Sequence, residues 1–345
     1  MIAYLIKRLL LIIPTFIGMT MILFALTRFV PGGPMEKLLM QQFMEGGSET
    51  GSGSMGGAAS DRAGGALSDE QLDALKARFG LDKPWYVAYF YWLWDFVNLD
   101  FGESTRYYDS VWGMLVERLP VSAYYGFFTF LIMYLVSIPL GIFKSLVHNS
   151  WFDTLSSMAI FLGFAVPGYV VAVVLLVYPA SRWEWFPLGG FISDDISEMS
   201  KWQVVKDVVD HSILPMIAYL LGGFAMLTYH MKSLLMEQLS MDYVRTAVAK
   251  GVPYRQAVLK HAIRNAIIPL ASGFGGLLTV FFGGSYLIEK VFNIDGLGLL
   301  AFESALERDY PVLIGVFAIT GVLLLMGQIV ADFAVAVIDP RVRFD

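Results

Sequence analysis

The stretch from Glu237 to Leu270 carries the residues whose types and order are most informative, because they predict two short helices joined at a bend. Ser240 or Asp242 can cap the first helix. Gly251 can adopt the left-handed backbone conformation that ends a helix, and Pro253 suits the first turn of the next one. The chemistry that this arrangement predicts is docking through an exposed bent segment rather than catalysis.

The surface of this bent segment mixes small, apolar and basic side chains. Ala247 and Ala249 would allow a partner to approach closely. The predicted apolar anchors are Val248, Val252, Tyr254 and Val258, and the basic residues around them are Arg245, Lys250, Arg255 and Lys260. Two interpretations remain open on these grounds. The segment could insert into a groove of a protein partner, or it could lie as a basic amphipathic loop on anionic lipid head groups.

Other kinds of site chemistry find little support in the sequence. The absence of cysteine excludes disulfides, thiolate catalysis and cysteine-ligated metals. The four histidines, at positions 148, 211, 230 and 261, lack the spacing of metal ligands. No GxxxxGK[ST] motif is present, so we expect no ATP binding by a P-loop. Ser285 is the nearest candidate for a serine nucleophile, but GxSxG is absent. We therefore expect no catalytic residue, no metal and no cofactor.

The elements that position the bent segment are predicted to be membrane helices. Hydrophobic residues make up 57% of the 345 residues and charged residues 16%, whereas soluble domains carry about 25% charge. Six uncharged windows are long enough to cross a bilayer core of about 30 Å. They lie between Arg8 and Arg28, Arg118 and Lys144, Asp153 and Arg182, Asp210 and Lys232, Arg264 and Glu289, and Asp309 and Asp332. The fold class is therefore all-α and polytopic.

The distribution of charge predicts how the spans are oriented. Residues 1–8, 144–153, 232–264 and 339–345 together carry 11 basic and five acidic residues, a balance of +6. The rest of the chain has a balance of −12. Because basic residues concentrate on the cytoplasmic side of membrane proteins, both termini are predicted to be cytoplasmic.

An extracytoplasmic insertion is predicted over residues 31–114, between the first two spans. Residues 46–66 are rich in Gly and Ser and are typical of a flexible tether. A helix is predicted to begin near Ser68 and to end at Gly80. The aromatic run over residues 85–94 favours a helix on the membrane surface or packed on the bundle, and a peptide-contacting surface is the alternative.

Residues 237–270 also resemble the EAA loop of type I ABC importer permeases, in the variant of the dipeptide, oligopeptide and nickel permease family. The family's glycine falls on Gly251 and its second alanine on Ala247, while Arg245 and Thr246 occupy the positions of its glutamate and first alanine. Further resemblances are the start YLIKRLLLIIPT, FGLDKP at 79–84, LPVS at 119–122, DGLG at 295–298, RDYPV at 308–312 and DPRVRF at 339–344. The long Gly-rich insertion is similar to that of the Yej-type branch, which includes importers of oligopeptides and of microcin C.

The resemblance implies a type I permease fold in the bacterial inner membrane. Its parts would be a lead helix at 1–30, a permease core at 115–338 with a coupling loop at 237–264, and a cytoplasmic tail at 339–345. The implied ATPase-coupling residues are Asp242, Tyr243, Arg245, Thr246, Ala247, Lys250, Gly251, Val252 and Tyr254. The implied translocation-path residues are Gly273, Gly276, Phe281 and Gly284.

The resemblance also implies partners. These are a second permease subunit, cytoplasmic ATPase subunits that bind ATP and Mg²⁺, a periplasmic solute-binding protein and a peptide substrate. An ABC importer for nickel or another small solute is one alternative. An ion-coupled secondary transporter or channel is another, and its ionisable candidates are His230, Lys232 and Asp332.

Overall fold

The computed structural model describes residues 2–29, 82–273 and 285–338, which are almost entirely helical. The α-helices in these ranges are α1 (Ile2–Phe29), α2 (Trp85–Val97), α3 (Val111–Leu146), α4 (Trp151–Ala165), α5 (Gly168–Leu175), α6 (Lys201–Ser240), α7 (Asp242–Ala249), α8 (Tyr254–Ala257), α9 (Ile263–Ser272), α10 (Tyr286–Val291), α11 (Leu297–Glu307) and α12 (Tyr310–Ile338). Wider π-helical turns follow α5 at Leu176–Arg182 and α8 at Val258–Ala262. The only β pairing in the described ranges is an isolated bridge between Glu103 and Ser110.

Four helices are long and apolar enough to cross a membrane. They are α1, α3, α6 and α12, and the bent pair of α4 and α5 makes up to five. Four predicted windows are thereby confirmed as continuous helices. The window between Arg264 and Glu289 includes residues 274–284, which lie outside the described residues. Also outside them are the predicted tether at 46–66, the predicted helix that begins at Ser68, the tail at 339–345, and three path residues, Gly276, Phe281 and Gly284.

The third predicted window is not one straight span, which corrects the sequence prediction. The chain turns by 91° between α4 and the segment that begins at Gly168. Val166 is extended, with φ −91° and ψ 123°, as expected for a residue before proline, because the ring of Pro167 disfavours the helical conformation there. Apolar composition is the same on both sides of the bend, so hydropathy alone could not indicate the break.

One compact unit comprises Met1–Ile13, Val116–Phe302 and Ile319–Asp345. Within it α6 is central and packs against α4, α5 and α9. Glycines permit the close crossings: a Cβ on Gly141 of α3 would lie 2.7 Å from the Cβ of Met231, and one on Gly168 would lie 2.9 Å from the carbonyl oxygen of Ala218. The core of this unit is thus organised around one long helix.

The second compact unit comprises Pro14–Leu115 and Glu303–Ala318. In it α2 packs along α1: the hydroxyl of Tyr89 lies 2.9 Å from that of Thr20 and donates to the carbonyl oxygen of Ile17. The opposite side of α2 is exposed at Tyr91 and Trp94. The predicted aromatic helix therefore exists, and one of its faces packs on a membrane helix.

Buried hydrogen bonds also stabilise the second unit. The carboxylate of Asp309, 1% exposed, accepts hydrogen bonds from the Ser104 hydroxyl at 2.5 Å and the Thr105 backbone N–H at 3.1 Å. Arg106 forms an ion pair with Glu307. These contacts fix the loop before α3 to the end of α11 and to the loop that follows it.

Candidate coupling surface

The bend predicted around Gly251 is present, and its hydrogen bonds explain it. Gly251 has φ +89°. Its N–H donates to the carbonyl of Val248, and the N–H of Val252 donates to the carbonyl of Ala247, at 2.9 and 3.1 Å. This pair of bonds is the Schellman arrangement, in which a left-handed residue just past the helix satisfies its last carbonyls. The glycine is therefore required by the backbone, as the sequence predicted.

The inner side of the loop is anchored in an apolar cluster. Val244, Ala257 and Val258 are at most 2% exposed. The cluster includes Leu235 of α6 together with residues of α7, α8 and α9. Residues of α3 pack against it, as do Ala247 and Val252. The loop is thus joined to the helices that it connects.

The exposed side of the loop includes Tyr243, Arg245, Val248, Lys250 and Tyr254. The exposed fraction rises from 37% at Tyr243 and 40% at Val248 to 56% at Tyr254. The side chain of Arg245 is 75% exposed and lies 3.9 Å from Asp242, which is itself 97% exposed. So loose and solvated a pair contributes little to stability. Aromatic, apolar and basic groups are left available to a partner.

Several residues of the predicted surface differ in exposure from the prediction. Val258 is buried and cannot be an exposed anchor. The π-helical turns that start there change the directions in which the following residues point. Ala247 faces the apolar cluster, whereas Ala249 is exposed. Thr246 is exposed, and its hydroxyl donates to the carbonyl of Asp242.

The predicted cap of α7 is wrong. Met241 occupies the capping position without a side-chain hydrogen bond, while the Ser240 hydroxyl donates backwards to the carbonyl of Glu237. Asp242 stands one residue later, in the first turn, where its charge still suits the helix dipole. Pro253 likewise precedes α8 instead of opening it.

Sequence reasoning missed two exposed apolar residues that flank the loop. Met241 is 39% exposed and Leu259 is 55% exposed. Leu259 lies in the π-helical turns, so an ordinary helical period could not place it. Met241 follows the end of α6 directly, and a helix boundary drawn there would have indicated its exposure.

Among the predicted translocation-path residues, Gly273 alone lies in the described ranges. It follows α9, and a Cβ on it would lie 3.1 Å from the carbonyl oxygen of Leu270 and 3.6 Å from the hydroxyl of Tyr134. The position is therefore close to α3.

The ionisable groups considered for a proton relay have other roles in the structure. The guanidinium of Arg8 lies 2.7 Å from the carboxylate of Asp332, which joins α1 to α12. The ammonium of Lys232 lies 2.7 Å from the carboxylate of Asp153. His230 is exposed. Within the described ranges, no cluster of three metal-ligating residues occurs.

A buried carboxyl that the sequence analysis did not single out belongs to Glu289 of α10 and accepts a hydrogen bond from the first turn of α11. Glu289 is 2% exposed. Its carboxyl accepts hydrogen bonds from the Leu299 N–H at 2.6 Å and from the Tyr219 hydroxyl at 3.3 Å. Burial raises the pKa of Glu289 to about 7, against the opposing effect of these hydrogen bonds. The sequence signal was the DGLG motif, because Gly296 leaves room for the carboxyl.

Comparisons with known proteins identify the family of this chain. Residues 137–344 match the family described as binding-protein-dependent transport system inner membrane component. The inner membrane ABC transporter permease protein YejB of Escherichia coli O157:H7 is 38% identical over 360 residues, which cover 99% of each chain. The peptidoglycan transport system permease protein YejB of Agrobacterium fabrum is 37% identical, over 99% of this chain and 98% of that one.

A third relative and a solved structure extend the comparison. The oligopeptide transport system permease protein AppB of Bacillus subtilis is 30% identical over the full length of both chains. A chain from the inward-facing MetNI methionine ABC transporter shares the fold, with a TM-score of 0.50 at 15% identity, over 66% of this chain and 96% of that chain. The chain therefore belongs to the family of binding-protein-dependent transport system inner membrane components.

Proposed function

We propose that this chain is a permease subunit of an ATP-driven importer that moves peptides or peptide-like solutes from the periplasm to the cytoplasm. The relatives named for oligopeptide and peptidoglycan transport support the solute class. The observation that carries the coupling mechanism is the Gly251 loop, whose inner side is fixed in the bundle and whose other side is exposed.

The exposed side of the loop is proposed to sit in a groove of a cytoplasmic ATPase subunit. Tyr243, Val248 and Tyr254 would supply apolar contact, and Arg245 and Lys250 would fix its orientation. Helix-in-groove recognition uses such a mixture of apolar anchors and surrounding charge. The alternative, a loop lying on lipid head groups, would need neither the closed Gly251 turn nor a rigid inner side.

The transport cycle is proposed to be alternating access. ATP would close the ATPase subunits and move the loop, and the pathway would open outward to receive solute from a periplasmic binding protein. Hydrolysis would reset the pathway. A second permease subunit would complete it, and the charge balance of +6 against −12 supports both termini being cytoplasmic.

A matched pair of substitutions on α7 tests the coupling role. Ala249→Glu introduces a carboxylate on the exposed side, so the permease should keep its normal abundance while ATPase copurification and solute-stimulated ATP hydrolysis fall together. Ala247→Glu places the same carboxylate against the apolar cluster. It should reduce the amount of folded permease, because an unpaired charge is costly to bury.

The measurements are pulldown of the ATPase, and ATP hydrolysis and peptide uptake in reconstituted vesicles. Normal coupling in Ala249→Glu would show that the exposed side of the loop is not the ATPase contact. The ion-driven alternative is tested in the same vesicles, since uptake driven by an ion gradient without ATP would contradict the importer proposal.

A further inference from the structure

Three charged side chains meet at the end of the bundle that carries the coupling loop. Lys144 lies near the end of α3, Asp153 in the first turn of α4, and Lys232 eight residues before the end of α6. Their side chains are 3%, 6% and 14% exposed. Because charged side chains are rarely this buried without a partner, their partners define what they do.

Asp153 is the centre of the cluster. Its two carboxylate oxygens accept hydrogen bonds from the Lys232 ammonium at 2.8 and 2.7 Å. The Lys144 ammonium lies 3.1 Å from one of the same oxygens. The backbone N–H of Asn149 and the partly exposed ring of His148 lie near the other, at 3.2 and 3.4 Å. One carboxylate thus connects three helices.

Lys144 is also held by the first two turns of α4. Its ammonium donates to the carbonyl of Asp153 at 2.9 Å and to the hydroxyls of Ser156 and Ser157 at 2.5 and 2.9 Å. These acceptors use all three N–H groups of the lysine. Every donor of Lys144 is therefore used in the contact between α3 and α4. These bonds are directional and oppose sliding of the two helices, which apolar contacts would allow.

The same end of α3 and α6 is joined to the coupling loop by the apolar cluster. Met231, next to Lys232, is fully buried in that cluster, together with Val244 of α7. The tight crossing of Gly141 with Met231 brings α3 to the same point. The apolar cluster joins α3, α6 and the loop, and the charged cluster adds α4.

We propose that Lys144, Asp153 and Lys232 are positioning residues that make α3, α4, α6 and the coupling loop one rigid body during transport. Separating the helices would leave charges buried without partners, which is far less favourable than moving them together. Movement of the loop would then carry α4 with it, and the flexible point would be the bend at Val166 and Pro167. This inference rests on the proposed coupling role of the loop.

Distance measurements between spin labels test the rigid body, and the absence of native cysteine makes labelling specific. Labels are placed at Trp151→Cys on α4 and Ser233→Cys on α6, both exposed positions. The transporter is assembled with its ATPase and measured without nucleotide and with trapped ATP. The distance should stay constant, and a shift beyond the ~2 Å typical of helix movements would overturn the proposal.

A second set of measurements tests whether the charged cluster fixes α4 to α6. In the Asp153→Asn background the same distance distribution should broaden, and uptake should be lost. An unchanged distribution would show that the charged cluster does not position α4. If Asp153→Asn does not accumulate, Lys232→Met takes its place, because the carboxylate then keeps Lys144 as its partner. Lys206→Met, at an exposed lysine of the same helix, should leave the distribution unchanged.

The two proposals fail in distinguishable ways. If the loop is not the ATPase contact, Ala249→Glu retains the ATPase in a pulldown, whatever the label distances show. If the rigid body is wrong, the labels separate while ATPase binding stays intact.

Discussion

Two glycine turns in the first compact unit use the missing side chain for different reasons. Gly251 needs a positive φ, and a Cβ on it would meet nothing within 4 Å. At Gly296 the requirement is space, because a Cβ would lie 2.7 Å from the carboxyl carbon of Glu289. The turn at Gly251 is therefore an open turn, which a partner can contact. The turn at Gly296 is a filled turn, because a side chain of the protein itself occupies the space.

The two turns also differ in where their hydrogen-bond partners lie. At Gly251 the turn satisfies its own helix, through bonds to the carbonyls of Val248 and Ala247. At Gly296 the N–H groups that open α11 are satisfied from elsewhere in the chain: Leu297 donates to the Ser122 hydroxyl at 2.8 Å and Leu299 donates to Glu289. The first turn is locally specified, and the second depends on tertiary packing.

The largest expected effect on stability is therefore at the filled turn. Gly296→Ala should destabilise the protein by about 1–3 kcal/mol through overpacking, and by about 1–3 kcal/mol more if the displaced carboxyl leaves the Leu299 N–H unsatisfied. Thermal unfolding in detergent measures the loss. Gly222→Ala is the control, because a Cβ there meets nothing within 4 Å. Equal stability of the two variants would show that the pocket at Gly296 is not filled.

The next effect is a pH dependence that only the filled turn should show. Glu289 has a folded pKa of about 7 against an ordinary value of 4.5, so the folded state binds the proton more tightly than the unfolded state. Its contribution is fully present below pH 4.5 and is lost as the pH rises through about 7. The difference between the two pKa values corresponds to about 3 kcal/mol of folding free energy.

Glu289→Gln removes the titrating group and keeps its shape. Unfolding temperatures measured from pH 5 to pH 8 should fall with pH in the wild type, with a clearly smaller slope in the variant. Slopes that are the same in both proteins would show that Glu289 does not titrate in this window.

The smallest expected effect on stability is at the open turn, where it is separable from function. Gly251→Val should cost about 1–2 kcal/mol of backbone strain, because a Cβ is disfavoured in the left-handed region. Gly102→Val is a matched control, with φ +73° and open space around it. Both variants should lose similar stability, but only Gly251→Val should lose solute-stimulated ATP hydrolysis. Loss of coupling in both would assign the effect to strain alone.

The sequence predicted the Gly251 turn because its signals are local. The conformation of Gly251 follows from the order of helix, glycine and proline, which is written in consecutive residues. The pocket of Glu289 could not be predicted in this way, since Tyr219 lies 70 residues away in the chain. The same is true of Asp153 and Lys232, which are 79 residues apart.

Proline illustrates a second limit of sequence reasoning. Pro120 and Pro139 lie inside α3, and Pro215 lies inside α6, yet Pro167 lies at a break between two helices, directly before α5. All of them remove a backbone donor, but neighbouring helices can compensate for that loss. Whether a proline kinks or breaks a helix is therefore decided by packing.

The start of α6 shows a signal that was present in the sequence and not used. The predicted window began after Asp210, but the helix begins at Lys201. Ser200 and Gln203 form a capping box, with each side chain bonded to the backbone of the other. This spacing indicates a helix start whether or not the next residues are apolar. Because the first turns of α6 are polar, the uncharged window did not include them. The helix is therefore far longer than the span that was predicted.

The unbroken length of α6 has a mechanical consequence. Its 40 residues make a rod of about 60 Å, at a rise of about 1.5 Å per residue. That is about twice the thickness of a bilayer core. Tilting such a rod by about 5° about one end displaces the other end by about 5 Å, close to one helical turn. A small tilt at the end that carries the Gly251 loop therefore produces a displacement of about 5 Å at the Ser200 end.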